Sequence, residues 1–180
     1  MEWPGGFRAA FALRVDVETA SCLLEGLPVL KGVLEDYGVK ATFFIPMGPD
    51  RPLMGFDWSR AKSYVRLNPV RKFGLRTVLS GFLAPAKDMG DLCVRTGLSR
   101  LEGHEVALHG YDHAAWARSI RRRRPSEVRD VFVRGYNEYI KVFGRPPKGF
   151  ASPEFKWTRE TLRLLDELGF LYGSDFRADK

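Results

Sequence analysis

The stretches Phe11-Ala-Leu-Arg-Val-Asp-Val-Glu18 and Val106-Ala-Leu-His-Gly-Tyr-Asp-His113 decide the predicted fold. Each begins as a short apolar run, typical of a buried strand, and ends in side chains that can bind metal or move protons. In parallel α/β proteins, ligands bind at the carboxyl ends of the strands, which share one edge of the sheet. We therefore expect the two carboxylates of the first stretch and the two imidazoles of the second to meet there.

Along the rest of the chain, the hydrophobic pattern alternates between strand and helix. Alternation of this kind predicts parallel strands with crossover helices, and therefore an α/β domain. Residues 48–88 interrupt it as a long basic insertion, within which 57–67 and 70–82 are predicted as short helices. Strands are predicted at 7–17, 40–45, 105–109, 148–151 and 170–174, and helices at 23–37, 91–102, 127–143 and 158–168.

The composition is that of one globular domain. The chain has 180 residues, 44% of them hydrophobic and 13% aromatic, which is enough for a core. No apolar run approaches the roughly 20 residues that cross a bilayer, and no signal peptide is visible at the N-terminus. The two cysteines, Cys22 and Cys93, are too few for a thiolate metal site. We expect them to be reduced thiols in a cytoplasmic protein.

The net charge of +7 is concentrated in the insertion. Residues 51–87 contain eight basic side chains and one acid, Asp57, whereas the rest of the chain contains 21 basic and 21 acidic residues. A basic block attracts phosphate on a lipid, a nucleotide or a nucleic acid, and a solvated basic face is the alternative. A second basic cluster at 121–124 has no interleaved aromatic residues, so we expect no nucleic-acid binding.

Two imidazoles and one carboxylate are the ligand set of a catalytic zinc site that leaves one position open. His109 and His113 are four residues apart, which lets both rings face one point on a helical turn or a tight loop. Asp16 and Glu18 are two residues apart, so on an extended strand both side chains point to the same side. One carboxylate can then bind a divalent ion, with zinc the expected ion, while the other takes a proton from the attacking water.

Four other residues lie in or near these stretches. Three of them could serve either the site or the fold, and the fourth is expected to serve the fold alone. Tyr111 and Trp116 either line a sugar-sized pocket or fill the core. Asp112 either caps a turn or orients a ligand. His104 precedes His109 by five strand positions, roughly 16 Å of extended chain. It is therefore expected near the opposite edge of the sheet, in a structural role.

These residues resemble the polysaccharide deacetylase family, carbohydrate esterase family 4. The family combines a strand ending in two acids, a Lys-Ala-Thr-Phe-Phe strand, and a Gly-His-Glu-Val segment that leads to His-x-x-x-His. The matching segments here are Asp16-Val-Glu18, Lys40-Ala-Thr-Phe-Phe-Ile45 and Gly103-His-Glu-Val-Ala-Leu-His-Gly-Tyr-Asp-His113.

Segments 13–19, 48–50, 108–118 and 172–177 resemble one branch of this family more narrowly. That branch removes a formyl group from an amino sugar carried on a polyisoprenyl phosphate, and it shares the long insertion after the second strand. The basic insertion would suit peripheral contact with phosphates at a membrane surface. The resemblance implies a single NodB-like domain over 1–180, folded as a distorted, incomplete (β/α) barrel of the polysaccharide deacetylase type.

The resemblance also implies roles for individual residues. Asp16 would be the general base, and Glu18, His109 and His113 would hold one divalent metal ion. The expected reaction is hydrolysis of an N-formyl or N-acetyl group on an amino sugar, with the oxyanion stabilised by the metal. The residues expected to contact the substrate are Tyr111, Trp116, Pro153, Asp175 and Arg177.

The sequence departs from the family pattern at three points. Glu18 stands where the family usually has Asp, and Ala151 stands where it usually has Arg. The late Leu-x-x-His that supplies the general acid is missing from a sequence with three histidines. Three explanations follow: the chain is a fragment, another chain of a homo-oligomer closes the open edge, or the proton comes from elsewhere. The alternative to catalysis is a module that binds a sugar phosphate or lipid head group without turnover.

Overall fold

The structure is a computed structural model that describes residues 4–50, 86–98 and 101–176. Strands and helices alternate along these segments, as the sequence predicts. The strands are β1 (Leu13–Asp16), β2 (Ala41–Ile45), β3 (Pro49–Asp50), β4 (Lys87–Asp88), β5 (Glu105–Leu108), β6 (Gly149–Phe150) and β7 (Tyr172–Gly173). The helices are α1 (Leu27–Asp36), α2 (Met89–Arg95), α3 (His113–Ser119), α4 (Pro125–Phe143) and α5 (Arg159–Glu167).

Five of these strands form a parallel sheet in the order β1-β2-β5-β6-β7. Asp16, the last residue of β1, is level with Phe44 on β2, and Ile45 is level with Leu108 on β5. The pairing continues past β5, because the backbone N–H of His109 donates to the carbonyl of Ile45 at 3.0 Å. The parallel sheet confirms the α/β prediction and places the ends of β1 and β5 at the same edge.

The two faces of the sheet differ because side chains alternate along each strand. On one face, Val15 and Phe43 belong to the main hydrophobic core, which the helices cover. On the other face, Arg14 and Thr42 are partly buried polar residues. A second, small apolar cluster consists of Phe44, Ala107 and Ala151.

Contacts across this second face show that the sheet is curled into half of a barrel. Arg14 on β1 donates to the carbonyl of Ser174, which follows β7, although about 19 Å would separate these edges in a flat sheet with 4.8 Å spacing. The ring centroids of Phe44 on β2 and Tyr172 on β7 are 6.5 Å apart. Gly149 on β6 leaves room for the tyrosine ring, because a Cβ there would collide with it. The incomplete barrel is therefore confirmed.

Local sequence explains how the two longest helical segments begin and end. A wider, π-type turn over Cys22–Gly26 precedes α1. Pro28 has no N–H, so it cannot donate the regular α-helical hydrogen bond to the carbonyl four residues earlier, which lies in this turn. Glu127 accepts a hydrogen bond from the backbone N–H of Arg124 and so caps the start of α4. The helix ends at Gly144, which has a left-handed φ of 68°.

Two predicted elements have other bounds in the structure, and a third element was missed. β1 begins at Leu13 rather than at residue 7, since β2 offers a partner only from Ala41 onward; Phe7 and Phe11 are exposed. The helix predicted at 91–102 is α2, over Met89–Arg95, and the chain turns at Gly97 with a φ of 70°. Helix α3 was not predicted.

The ends of the predicted insertion are joined by a short antiparallel pair. Pro49 of β3 is level with Asp88 of β4, and Asp50 is level with Lys87. This pairing anchors the two flanks of the insertion beside the main sheet. The helices predicted at 57–67 and 70–82 lie outside the described residues. Within the described residues, no helix combines the length and the apolar character needed to span a bilayer.

Candidate functional site

The ends of β1 and β5 bring two carboxylates and two imidazoles together. His113 Nε2 lies 3.6 Å from Glu18 Oε1, and His109 Nε2 lies 3.8 Å from Asp16 Oδ2. The two imidazole rings have centroids 5.2 Å apart. All four side chains therefore form one cluster at the carboxyl edge of the sheet, where the sequence predicts them.

His109 is fully buried, and its hydrogen bonding determines its tautomer. Its Nδ1 lies 2.7 Å from the carbonyl oxygen of Ala151, which can only accept, so Nδ1 carries the proton. Burial, reinforced by the nearby His113, lowers the pKa of His109 to about 3. The ring is therefore neutral near pH 7 and presents the lone pair of Nε2 to the cluster. That atom is buried and has no hydrogen-bond partner.

His113 is positioned by a glycine turn and by the start of α3. Gly110 has a left-handed φ of 77°, a backbone conformation that costs glycine little, and it redirects the chain after β5. The carboxylate of Asp112 then accepts a hydrogen bond from the N–H of Ala115 at 2.8 Å and caps α3. His113 is the first residue of that helix, and its Nε2 is buried without a hydrogen-bond partner.

Asp16 is held by Arg14, two residues earlier on the same face of β1. Arg14 Nε donates to Asp16 Oδ1 and Nη2 donates to Oδ2, both at 2.7 Å. Burial works to raise the pKa of Asp16, but the hydrogen bonds and the positive charge of Arg14 outweigh it. The pKa of Asp16 therefore lies below its ordinary value, and the carboxylate is ionised at neutral pH.

Glu18 lies in the loop after β1, and Asp50 anchors that loop. One carboxylate oxygen of Asp50 accepts a hydrogen bond from the N–H of Ala20 at 2.8 Å. Burial, with the neighbouring Asp112 also contributing, raises the pKa of Asp50. Glu18 itself is partly exposed and faces His113.

The donor chemistry of the cluster fits a divalent ion. Two ligands on one tetrahedral ion with bonds near 2.1 Å are about 3.4 Å apart, and the Glu18–His113 distance of 3.6 Å is close to this value. Two buried ring nitrogens without hydrogen-bond partners add to the fit. Within the described residues, however, no three His, Cys, Asp or Glu side chains stand as a group that could hold a metal ion. The two pairs would have to draw together to enclose one.

The residues predicted to contact substrate differ in their exposure to solvent. Tyr111 is partly exposed beside the cluster, with the guanidinium of Arg134 4.2 Å from its ring centroid. Trp116 is buried and donates from Nε1 to the carbonyl of Lys156 at 2.8 Å, as core filler would. Pro153 is buried next to the site.

Asp175 is also buried, and Arg177 lies outside the described residues. Asp175 Oδ1 accepts a hydrogen bond from the N–H of Ser152 at 2.6 Å, so this carboxylate anchors the loop after β6. Burial raises the pKa of Asp175. His104 accepts a hydrogen bond from the N–H of Ala41 at the start of β2, which confirms its place at the opposite edge.

Sequence reasoning missed Arg14 and Asp50 as parts of the site. The signal for Arg14 was present, because an arginine two residues before a carboxylate on a buried strand lies on the same face and requires an anionic partner. Asp50 follows β2 by five residues, and no pattern in the sequence indicates that it reaches Ala20.

Comparison with known proteins gives the same family as the site. The polysaccharide deacetylase family model matches residues 97–173. The chain is 32% identical over 158 residues to a probable 4-deoxy-4-formamido-L-arabinose-phosphoundecaprenol deformylase, ArnD, of Wigglesworthia glossinidia brevipalpis, covering 84% of this chain and 55% of the relative. It is 28% identical over 174 residues to the probable ArnD of Shewanella sediminis, covering 93% and 56%.

A solved structure agrees with these relatives. A protein of Mycobacterium smegmatis, whose crystal structure is described as that of a polysaccharide deacetylase, superposes with a TM-score of 0.62 at 25% identity, covering 97% of this chain and 54% of that one. The chain belongs to the polysaccharide deacetylase family. It spans about half the length of the curated relatives it matches.

Proposed function

We propose that this chain hydrolyses an N-formyl or N-acetyl group from an amino sugar, with a divalent ion held by Glu18, His109 and His113 and with Asp16 as the general base. The single observation that carries the proposal is the cluster at the carboxyl edge of the sheet, in which two carboxylates lie within 4 Å of two imidazoles. The deformylase relatives support the type of reaction.

The structure favours different roles for the two carboxylates. Both oxygens of Asp16 accept hydrogen bonds from Arg14, and these bonds would have to break before the carboxylate could move to bind an ion. A carboxylate has about four lone-pair positions, so Asp16 can still accept a proton on the side that faces His109. Glu18 is paired with an imidazole instead, and its longer side chain gives it reach. We therefore assign proton transfer to Asp16 and metal binding to Glu18.

When bound, a divalent ion would lower the pKa of water and polarise the substrate amide carbonyl. The contribution of this chain is to hold the groups around that centre. His109 is locked by the Ala151 carbonyl with its lone pair facing inward. Asp16, ionised and fixed, takes the proton of the attacking water. The pre-set positions of these side chains reduce the reorganisation needed for reaction.

We also propose that the amino sugar is joined to a polyisoprenyl phosphate. The names of both relatives include a phosphoundecaprenol-linked formamido sugar. The eight basic residues of 51–87 would attract the phosphates of such a lipid and hold the protein peripherally at a membrane surface.

The test compares hydrolysis by the zinc-loaded protein with hydrolysis by matched variants. The substrates are methyl glycosides of 4-formamido-4-deoxyarabinose and of N-acetylglucosamine, and formate or acetate release is measured. Asp16→Asn is expected to lower kcat by about 10²–10⁴-fold with its metal retained. Glu18→Gln is expected to lose metal as well as activity, whereas Asp36→Asn and Glu102→Gln, on the exposed surface, serve as controls.

The same formamido sugar attached through phosphate to a short polyisoprenol tests the lipid link. The proposal expects a higher kcat/KM than for the methyl glycoside, with the difference reduced at high salt. Metal-loaded protein that releases neither acid from any of these substrates contradicts the proposal. Tight binding of the lipid-linked sugar without turnover would identify the non-catalytic binding module instead.

A further inference from the structure

The guanidinium of Arg14 is contacted from several sides on the inner face of the half-barrel. It makes two hydrogen bonds to Asp16, and its Nη1 donates to both the backbone carbonyl and the hydroxyl of Ser174. Its Cζ atom also lies 5.2 Å from the ring centroid of Phe44 and 4.4 Å from that of Phe155. Contacts from β1, β2 and the loops after β6 and β7 thus fix one side chain.

The loop that brings Phe155 onto Arg14 is held in an uncommon conformation. Glu154 and Phe155 are non-glycine residues with φ values of 52° and 55°, in the left-handed region that such residues rarely adopt. The buried carboxylate of Asp175 anchors the start of this loop through the N–H of Ser152. Backbone strain of this kind persists where the surrounding structure imposes it, and it is concentrated at functional sites.

These contacts place the guanidinium between the two edges of the sheet. Its Nε–H and Nη2–H groups, which form a two-pronged fork, both donate to the carboxylate of Asp16. The fork fixes the side-chain torsions of Asp16, because two parallel N–H···O bonds hold a carboxylate in a single plane. Oδ2 is thereby directed to within 3.8 Å of His109 Nε2. A lysine could supply the charge here but not the bidentate geometry.

We infer that Arg14 is the positioning residue for the general base: it holds the carboxylate of Asp16 in one orientation toward the cluster, supported by Ser174 and Phe155. This inference rests on the proposed function, and it assigns a residue to which the sequence patterns gave no role. Arg14 acts through Asp16, so its loss should slow the chemical step more than it weakens substrate binding.

The test is the steady-state kinetics of Arg14→Lys and Arg14→Met on the formamido glycoside, with metal content measured on the same samples. Both variants are expected to lose about 10–100-fold in kcat, with little change in KM and with the zinc stoichiometry of the parent. Adding Arg14→Met to Asp16→Asn is expected to cost nothing further, because the two residues act as one unit. Arg163→Met, an arginine on the outer surface of α5, is the matched control.

Two readouts separate positioning from general stability. Methylguanidinium is expected to restore part of kcat in Arg14→Ala and none in Asp16→Asn. The Nε–H proton of Arg14, followed by NMR, is expected to exchange slowly in the parent and faster in Asp16→Ala. An Arg14→Lys variant with the kcat of an active parent would overturn the inference alone, as would an Nε–H proton that exchanges freely in the parent. A metal-loaded parent without hydrolysis would overturn the proposed function, and the catalytic role of Arg14 with it.

Discussion

The buried, neutral state of His109 makes folding stability depend on pH in a way that can be calculated. An imidazole in the unfolded chain has a pKa near 6.5, whereas burial lowers the pKa of folded His109 to about 3. As the pH falls from 7 to 5, the unfolded state takes up a proton that the folded state does not, so acid favours unfolding. This difference lowers the free energy of unfolding by about 2 kcal/mol across that interval. For a chain of this length, the melting temperature should fall by roughly 4–8 °C.

The assay is urea or thermal denaturation at pH 7 and pH 5 in the presence of a chelator, so that proton competition with metal does not contribute. The parent should lose about 2 kcal/mol more than His109→Gln, which cannot be protonated. His104→Gln, which removes a histidine at the opposite edge of the sheet, is the matched control for the loss of an imidazole. Equal pH dependence in the parent and in His109→Gln would show that His109 is not held neutral. The Nε2 lone pair would then not be available to bind a metal ion at neutral pH.

Three further predictions concern the packing that supports the site. Tyr139→Phe removes a buried hydroxyl that donates to the carbonyl of Val106 at 2.8 Å, and should cost about 1 kcal/mol in denaturant unfolding; an unchanged midpoint would contradict this hydrogen bond. Gly149→Ala should cost about 1–3 kcal/mol, because the new methyl group meets the tyrosine ring of β7, and a variant as stable as the parent would refute the close approach. Cys22 is exposed, whereas burial raises the pKa of Cys93 to about 12, so a thiol reagent should label one cysteine quickly and the other only on unfolding.

The sequence predicts the parallel sheet and the residues at its edge because both depend on local patterns. The apolar run ending at Asp16 and the one ending at His109 each specify a buried strand, and parallel strands necessarily place their carboxyl ends together. The 3.6-residue period over 23–37 predicts one apolar face, on which Leu23, Leu27 and Leu34 are buried and Leu30 is partly buried against the core.

Features that depend on tertiary contacts were not predictable from these patterns. The short helix α3 depends on the turn at Gly110 and on the cap from Asp112, and its seven residues are too few to carry a clear periodic signal. The interior position of Trp116 follows from its hydrogen bond to a residue 40 positions away. The contact between Arg14 and the segment after β7 spans 160 residues of sequence and exists only because the sheet curls.

The most direct test of the account is anomalous X-ray scattering from crystals of the zinc-loaded protein. We expect one strong peak with Glu18, His109 and His113 at about 2.0–2.2 Å, and with Asp16 outside bonding distance and still held by Arg14. A peak elsewhere, or one that binds Asp16 in place of Glu18, would contradict it.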